Sequence, residues 1–242
     1  MYGLIGYPLG HSFSATFFNE KFSREGIDEH YSLFPLTSID EFPALLESHK
    51  DLKGLNVTIP YKELVIPYLT SLSKEAEEIG AVNVIKISDD GKSLVGYNSD
   101  SIGFHDTISP LIKPHMKKAL VLGTGGASHA VAYVLKKLGL EVTKVSRRPA
   151  EGMLTYSDLT PEVMATHHVI VNTTPLGMWP KVDACPDIPY QLLSPMHLCY
   201  DLVYNPDVTE FMRRASEQGA TVKNGLDMLH GQAVAAWEIW NS

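Results

Sequence analysis

Short apolar runs alternate with stretches of three- and four-residue apolar spacing from the first residue onward. Tyr2 to Gly6, His30 to Leu36 and Leu55 to Ile59 are runs of strand length. Between them Phe17, Phe18 and Phe22, then Phe42, Leu45 and Leu46, recur at helical steps and predict stripes that face a core. This alternation predicts an open α/β sheet. The pattern changes at Ala81 to Ile87 and Leu94 to Tyr97, two runs separated by Asp89-Asp90-Gly91-Lys92, which predict a hairpin ending at Asn98-Ser99-Asp100.

A second rhythm of strands and helices begins near Lys118. Ala119 to Leu122 predicts a buried strand, Ala130 to Leu138 an apolar helix closed by Gly139, and Glu141 to Ser146 the next strand. Val169 to Asn172 and Leu198 to Leu202 predict further strands, and Pro206 to Gln218 and Leu226 to Trp240 helices. The expected organisation is two open α/β domains. Residues 1–102 form the first, to which a terminal helix over 226–242 returns, and residues 103–225 form a second of Rossmann type. No internal repeat or low-complexity stretch interrupts them.

Composition narrows the partners. A chain of 242 residues that is 44% hydrophobic can bury a sizeable core. The net charge is −8 and no basic block stands out, which argues against a nucleic-acid footprint and for a small-molecule partner. Cys185 and Cys199 form neither a metal-ligand pattern nor a disulfide framework, so no metal is expected and a reducing cytoplasm fits. No apolar run reaches membrane-spanning length, and the first residues lack a signal-peptide pattern, so a soluble protein retained in the cytoplasm is expected. Oligomeric state is not legible in the chain.

Four groups of residues carry candidate chemistry. Gly123-Thr124-Gly125-Gly126-Ala127-Ser128 lies between a predicted strand and helix. There glycines admit a tight turn and close backbone approach, and a helix N-terminus offers amides to a pyrophosphate. A plain glycine turn is the alternative. At the end of the next strand Ser146-Arg147-Arg148 stands where NAD binders usually carry an acid. Paired guanidinium groups suit a 2′-phosphate, which favours NADP over NAD, the alternative being solvated surface arginines. Lys62 and Asp100 both follow predicted strands, amid Thr58, Asn83 and Asn98. If they meet, they make an acid–base pair for ketone reduction or its reverse; a surface ion pair is the plainer reading. Ser12 and Ser14 stand near a predicted helix start, where an anion such as a carboxylate would be stabilised, although Ser14 alone reads equally well as an N-cap. His11 has no second ligand at metal spacing and is expected to be structural.

Taken in order, these blocks resemble the shikimate dehydrogenase family. The similarity runs over nearly the whole chain: Gly6 to Ser14, Asn56-Val57-Thr58-Ile59-Pro60-Tyr61-Lys62, Ala81-Val82-Asn83, Asn98-Ser99-Asp100 and Gly123 to Ser128. It continues through Arg147, Asn172-Thr173-Thr174-Pro175-Leu176-Gly177-Met178, Tyr200 to Pro206 and Gly225 to Gln232. The resemblance implies NADP-linked interconversion of 3-dehydroshikimate and shikimate, a step toward chorismate and aromatic amino acids, with hydride passing between nicotinamide C4 and substrate C3. It implies that Lys62 and Asp100 are catalytic and that Ser12, Ser14 and Tyr204 hold the substrate carboxylate. Thr58, Asn83, Gln232, Lys62 and Asp100 would bind ring hydroxyls. Gly225 and Met228 would border the nicotinamide, with Thr173 and Thr174 beside it. A quinate/shikimate dehydrogenase using NAD and a non-catalytic NADP sensor are the alternatives. The chain departs from the family pattern at Ala15, Ser99 and Ser101. It departs also after Arg148, where Pro149-Ala150-Glu151-Gly152 leaves no room for a following helix and second basic residue.

Overall fold

The computed structural model describes residues 1–10 and 12–242; His11 lies outside the described residues. The first half contains β1 (Tyr2–Gly6), α1 (Phe13–Glu25), β2 (Tyr31–Pro35), α2 (Phe42–Ser48), β3 (Gly54–Val57) and α3 (Tyr61–Leu64). β4 (Ser71–Leu72), α4 (Lys74–Ile79), β5 (Val84–Ile87), β6 (Leu94–Tyr97) and α5 (Ser99–Ile108) follow. The second half contains β7 (Lys118–Leu122), α6 (Gly126–Lys137), β8 (Glu141–Ser146), β9 (Met153–Thr155), α7 (Pro161–Thr166) and β10 (Val169–Asn172). It ends with β11 (Leu198–Asp201), α8 (Glu210–Glu217), β12 (Thr221–Lys223) and α9 (Leu226–Asn241).

The chain divides into two compact units, Met1–Ser99 with Gln232–Ser242, and Asp100–Gly231. The second crossing falls six residues later than the expected 225/226, because Met228 packs into the core of the second unit with Phe104 and Tyr200.

In the first unit the sheet order is β2-β1-β3-β5-β6-β4. β1 pairs parallel with β2 and β3, while β5 runs antiparallel to both β3 and β6, as the hairpin pattern requires. Alternation along each strand feeds two cores. Ile5, Leu55, Val57 and Ile85 enter one; Tyr2, Leu4 and Val84 enter the other with Phe18 and Phe22 of α1 and Ala233, Ala236 and Trp240 of α9. Trp240 Nε1 donates to Ile85 O at 3.0 Å, which fastens the end of α9 to this sheet.

The second unit's sheet runs β12-β11-β10-β7-β8-β9, all parallel. Read from β9 this is the 3-2-1-4-5-6 order of a doubly wound dinucleotide fold, and its direction reverses between β7 and β10. Both faces are covered: Ala119 and Val121 of β7 face one core with Val131 and Leu135 of α6, while Leu120 and Leu122 face another with Met164 and Phe211. Strands buried on both sides explain the continuous apolar runs that marked them in the sequence.

The local differences from expectation have local causes. α6 opens at Gly126 rather than Ala130, because the low helix propensity of glycine hides a start that the fold makes anyway. α8 opens at Glu210 rather than Pro206, since the Thr209 side chain accepts from Met212 N and caps the helix there. β4, β9 and β12 have two or three residues each, too few to show a period. Among the described residues no helix is long and apolar enough to cross a membrane.

Candidate active site

In the first unit the candidate residues converge through buried polar contacts. Thr58 follows β3, and its amide donates to Ile5 O at 2.9 Å, so the segment leading into α3, which carries Lys62, starts against β1. Val82 N donates to Lys62 O at 2.7 Å, placing the start of α3 beside the segment that leads into Asn83. Asn83 is buried and grips the start of α5 from both sides of its amide. Its Oδ1 accepts from Ser99 N at 2.7 Å, and its Nδ2 donates to Ser99 Oγ at 3.0 Å. Ser99 Oγ also reaches Gln232 Oε1 at 3.5 Å. Thus Asn83, Ser99 and Gln232 meet although they come from three distant segments, and Asp100 follows Ser99 directly in the chain.

Ser12, not Ser14, is the N-cap of α1; its Oγ accepts from Ala15 N at 3.4 Å. The Ser12 position wins because its extended backbone, φ −112° and ψ 122°, lets the side chain fold over the first turn. Ser14 instead bonds the buried Tyr31 phenol, which burial pushes well above its ordinary pKa while the Ser14 contact opposes. Tyr31 donates to Asn56 Oδ1 at 2.7 Å, and Asn56 Nδ2 donates to Asn83 O at 3.2 Å. With its own proton used, the Tyr31 oxygen can only accept, so Ser14 is the donor of that pair. Sequence reasoning assigned no role to Tyr31, Asn56 or Ser99, although Asn56 and Ser99 lie inside the family motifs.

In the second unit, Gly123 closes β7 with φ +116°, and a Cβ there would stand 2.6 Å from Thr173 Oγ1. Only glycine suits that turn without strain. Gly123→Ala is therefore expected to cost about 1–3 kcal/mol. It should also weaken dinucleotide binding, read as a lower Tm and a smaller Tm rise on adding NADP; an unchanged Tm would count against this reading of the loop. Gly125 is the N-cap of α6, no side chain caps that end, and space opens in front of it. The first amides of a twelve-residue helix thus lack a side-chain acceptor, as a phosphate site requires. Gly126 and Ala127 begin α6, after Thr124 in the loop. Ser128 is fully buried and its Oγ has no hydrogen-bond partner among the described residues.

Thr173 and Thr174 follow β10, on the other side of the point where strand order reverses. Thr173 Oγ1 donates to Leu122 O at 2.7 Å, and Thr174 Oγ1 donates to Asn172 Oδ1, also at 2.7 Å. Behind them Asn172 Nδ2 donates to Asp201 Oδ1 at 2.9 Å. The fully buried Asp201 also accepts from Val203 N at 3.0 Å and Thr209 Oγ1 at 2.6 Å. Burial pushes its pKa up to about 6, against the three donors that favour the anion. Asp201 thereby sets the chain after β10 and the loop after β11 that carries Tyr204. A charged residue closing an apolar strand was the available signal for it.

Ser146 ends β8, and its Oγ accepts from Arg148 N at 3.2 Å, turning the chain just after Arg147. Gly225 is needed for close approach, since a Cβ there would overlap the carbonyl oxygen of Leu202. Met228 is buried in the core of the second unit, and Met178 after β10 is exposed. The reason is helical phase: Met228 lies on the inward face of the first turn of α9. Tyr204 and Asp100 belong to the second unit, whereas Ser12, Ser14, Thr58, Lys62, Asn83 and Gln232 belong to the first. Among the described residues no His, Cys, Asp or Glu group could hold a metal ion.

An uncapped, glycine-opened helix at the switch point of a 3-2-1-4-5-6 sheet, beside paired arginines, defines a dinucleotide-binding α/β protein. The residues present fit an NADP-type coenzyme: open amides for the pyrophosphate and no acid at the end of β8. Comparison with known proteins narrows the class. Residues 4–85 match the family described as shikimate dehydrogenase substrate binding domain. A curated relative, shikimate dehydrogenase (NADP(+)) of Desulforamulus reducens, is 37% identical, covering 98% of this chain and 88% of its own length. The crystal structure of shikimate dehydrogenase from Aquifex aeolicus superposes with a TM-score of 0.86 at 36% identity, covering 99% of this chain and 91% of that one. The Thermus thermophilus shikimate 5-dehydrogenase in complex with NADP(H) and shikimate gives a TM-score of 0.85 at 31% identity, covering 99% and 92%. This chain belongs to the shikimate dehydrogenase family.

Proposed function

We propose that the chain catalyses the reversible NADP-dependent reduction of 3-dehydroshikimate to shikimate. The observation that carries this reading is the Asn83–Ser99–Gln232 constellation, in which buried amides and a hydroxyl gather at the start of α5, one residue before Asp100. Amide and hydroxyl groups that both donate and accept suit a polyhydroxylated ring. When bound, NADPH supplies the hydride. Lys62 gives a proton to the oxygen that gains charge as the ketone is reduced, and takes it back in the reverse direction. Asp100 accepts a hydrogen bond from a ring hydroxyl. Ser12 and Tyr204 donate to the substrate carboxylate, beside Ser14, whose own hydroxyl donates to Tyr31, and Thr58, Asn83 and Gln232 orient ring hydroxyls. Gly123 to Ser128, Ser146, Arg147, Arg148, Thr173, Thr174, Gly225 and Met228 form the coenzyme side. The reaction is assigned to the cytoplasm, with small molecules as the partners.

Initial rates with shikimate and with quinate, each paired with NADP and with NAD, test the proposal. Shikimate with NADP is expected to give the largest kcat/KM of the four. A larger value for quinate with NAD would reassign both substrate and coenzyme.

A further inference from the structure

β8 and β9 are parallel neighbours joined only by residues 147–152, with no helix between them. Such neighbours ordinarily need a crossover of a dozen or more residues, usually helical. The short link works because β9 pairs only with the last half of β8: Lys144 faces Met153, Val145 faces Leu154 and Ser146 faces Thr155. The chain steps back three residues' worth of strand and rises again.

That register has a consequence at the coenzyme edge. Val145 and Leu154 point into the same core cluster, and side chains alternate along a strand. Ser146 and Thr155 are the last pair, so Arg147 and Tyr156 are the first residues beyond the two adjacent strand ends, Tyr156 opening a single 3₁₀ turn over Tyr156–Asp158. The Tyr156 ring packs against this core, so the phenol is anchored rather than free to sweep. Burial pushes it above its ordinary pKa, the charge of Arg147 opposes, and the carboxylate of Asp187 adds to the rise. The phenol therefore keeps its proton at neutral pH and can donate to an anion. Arg148 stands next in the chain, its amide held by Ser146 Oγ at 3.2 Å, and the link also carries the exposed Glu151.

Resting on the NADP reading above, we infer that Tyr156 determines coenzyme specificity, donating with Arg147 to the phosphate monoester on the adenosine ribose. A phosphate presents three acceptor oxygens, more than one planar guanidinium can satisfy. With no crossover helix over this corner, the core-anchored phenol is the fixed donor that completes the set. NAD, bearing a hydroxyl at that position, gains little from Tyr156.

Calorimetric titration of adenosine 2′,5′-bisphosphate and of 5′-AMP into the wild type, Tyr156→Phe, Arg147→Ala and the double variant tests this. Phenylalanine keeps the ring in the core, so the fold is retained. Tyr156→Phe is expected to weaken the bisphosphate about tenfold, the size of one hydrogen bond to a charged group, and to change 5′-AMP less than about twofold. In the Arg147→Ala background the same substitution should cost a smaller factor, because both groups serve one phosphate. An equal loss for both ligands, or none for the bisphosphate, overturns the inference while wild-type preference for the bisphosphate leaves the NADP reading standing. A wild type without that preference overturns both.

Discussion

Lys62→Ala is expected to lower kcat for shikimate oxidation by about 10²–10⁴-fold while changing KM by less than about tenfold. The first range is what a positioned proton donor contributes; the asymmetry follows if the interaction forms mainly in the transition state. The local structure supports a fixed position for this residue, since Lys62 O accepts from Val82 N at 2.7 Å and so fixes where the side chain starts. Steady-state kinetics of the purified variant, with circular dichroism to verify folding, supply the check. Undiminished kcat would remove Lys62 from the chemistry, and a rise in KM alone would leave it a binding group.

The second large effect concerns Asp201. Removing its carboxylate in Asp201→Ala strands Val203 N and Thr209 Oγ1 inside the second unit and leaves Asn172 Nδ2 only its 3.5 Å contact with Leu176 O. Unsatisfied buried donors cost about 1–3 kcal/mol each before relaxation, so a net loss of about 3–5 kcal/mol is expected in urea unfolding. Asp201→Asn should cost far less at neutral pH. Its oxygen can keep the Asn172 and Val203 contacts, while its amide donates to Thr209 Oγ1.

The two side chains should also part company with pH. The Asp201 pKa rises from 3.8 to about 6 on folding, so the folded state binds its proton more readily than the unfolded chain. The associated stability is fully present below the unfolded value and is lost as pH rises through about 6. Asparagine does not titrate. Relative to the wild type, Asp201→Asn should therefore gain up to about 3 kcal/mol between pH 4 and pH 7, because each tenfold difference in proton affinity between the folded and unfolded states is worth about 1.4 kcal/mol. Parallel stability profiles for the two proteins would refute a buried, reluctantly ionised carboxylate at this position.

Periodicity was enough for the strands that matter most. The apolar runs at Tyr2 to Gly6 and Val169 to Asn172 coincide with β1 and β10, and the segment Glu141 to Ser146 with β8. A strand buried on one or both faces must advertise its apolar positions locally. The glycine loop was legible for a similar reason: a backbone with φ +116° next to Thr173 excludes other residues whatever the rest of the chain does. Short elements such as β9 escaped because three residues hold no period, and the start of α6 escaped because glycine conceals a helix that the fold imposes.

The order of motifs along the chain determined the family, the coenzyme loop and the residue types available for catalysis, since each depends on local backbone shape or on side-chain chemistry alone. Tertiary structure decided which of those residues touch. Asn83 holds Ser99 across 16 positions and Ser99 reaches Gln232 across 133. Tyr31 accepts a hydrogen bond from Ser14, Asp201 binds Asn172 and Thr209, and β9 settles directly beside β8. A hydrogen bond forms between whichever donor and acceptor packing brings within reach, and nothing in the local pattern around either partner records the distance the chain travels to bring them together.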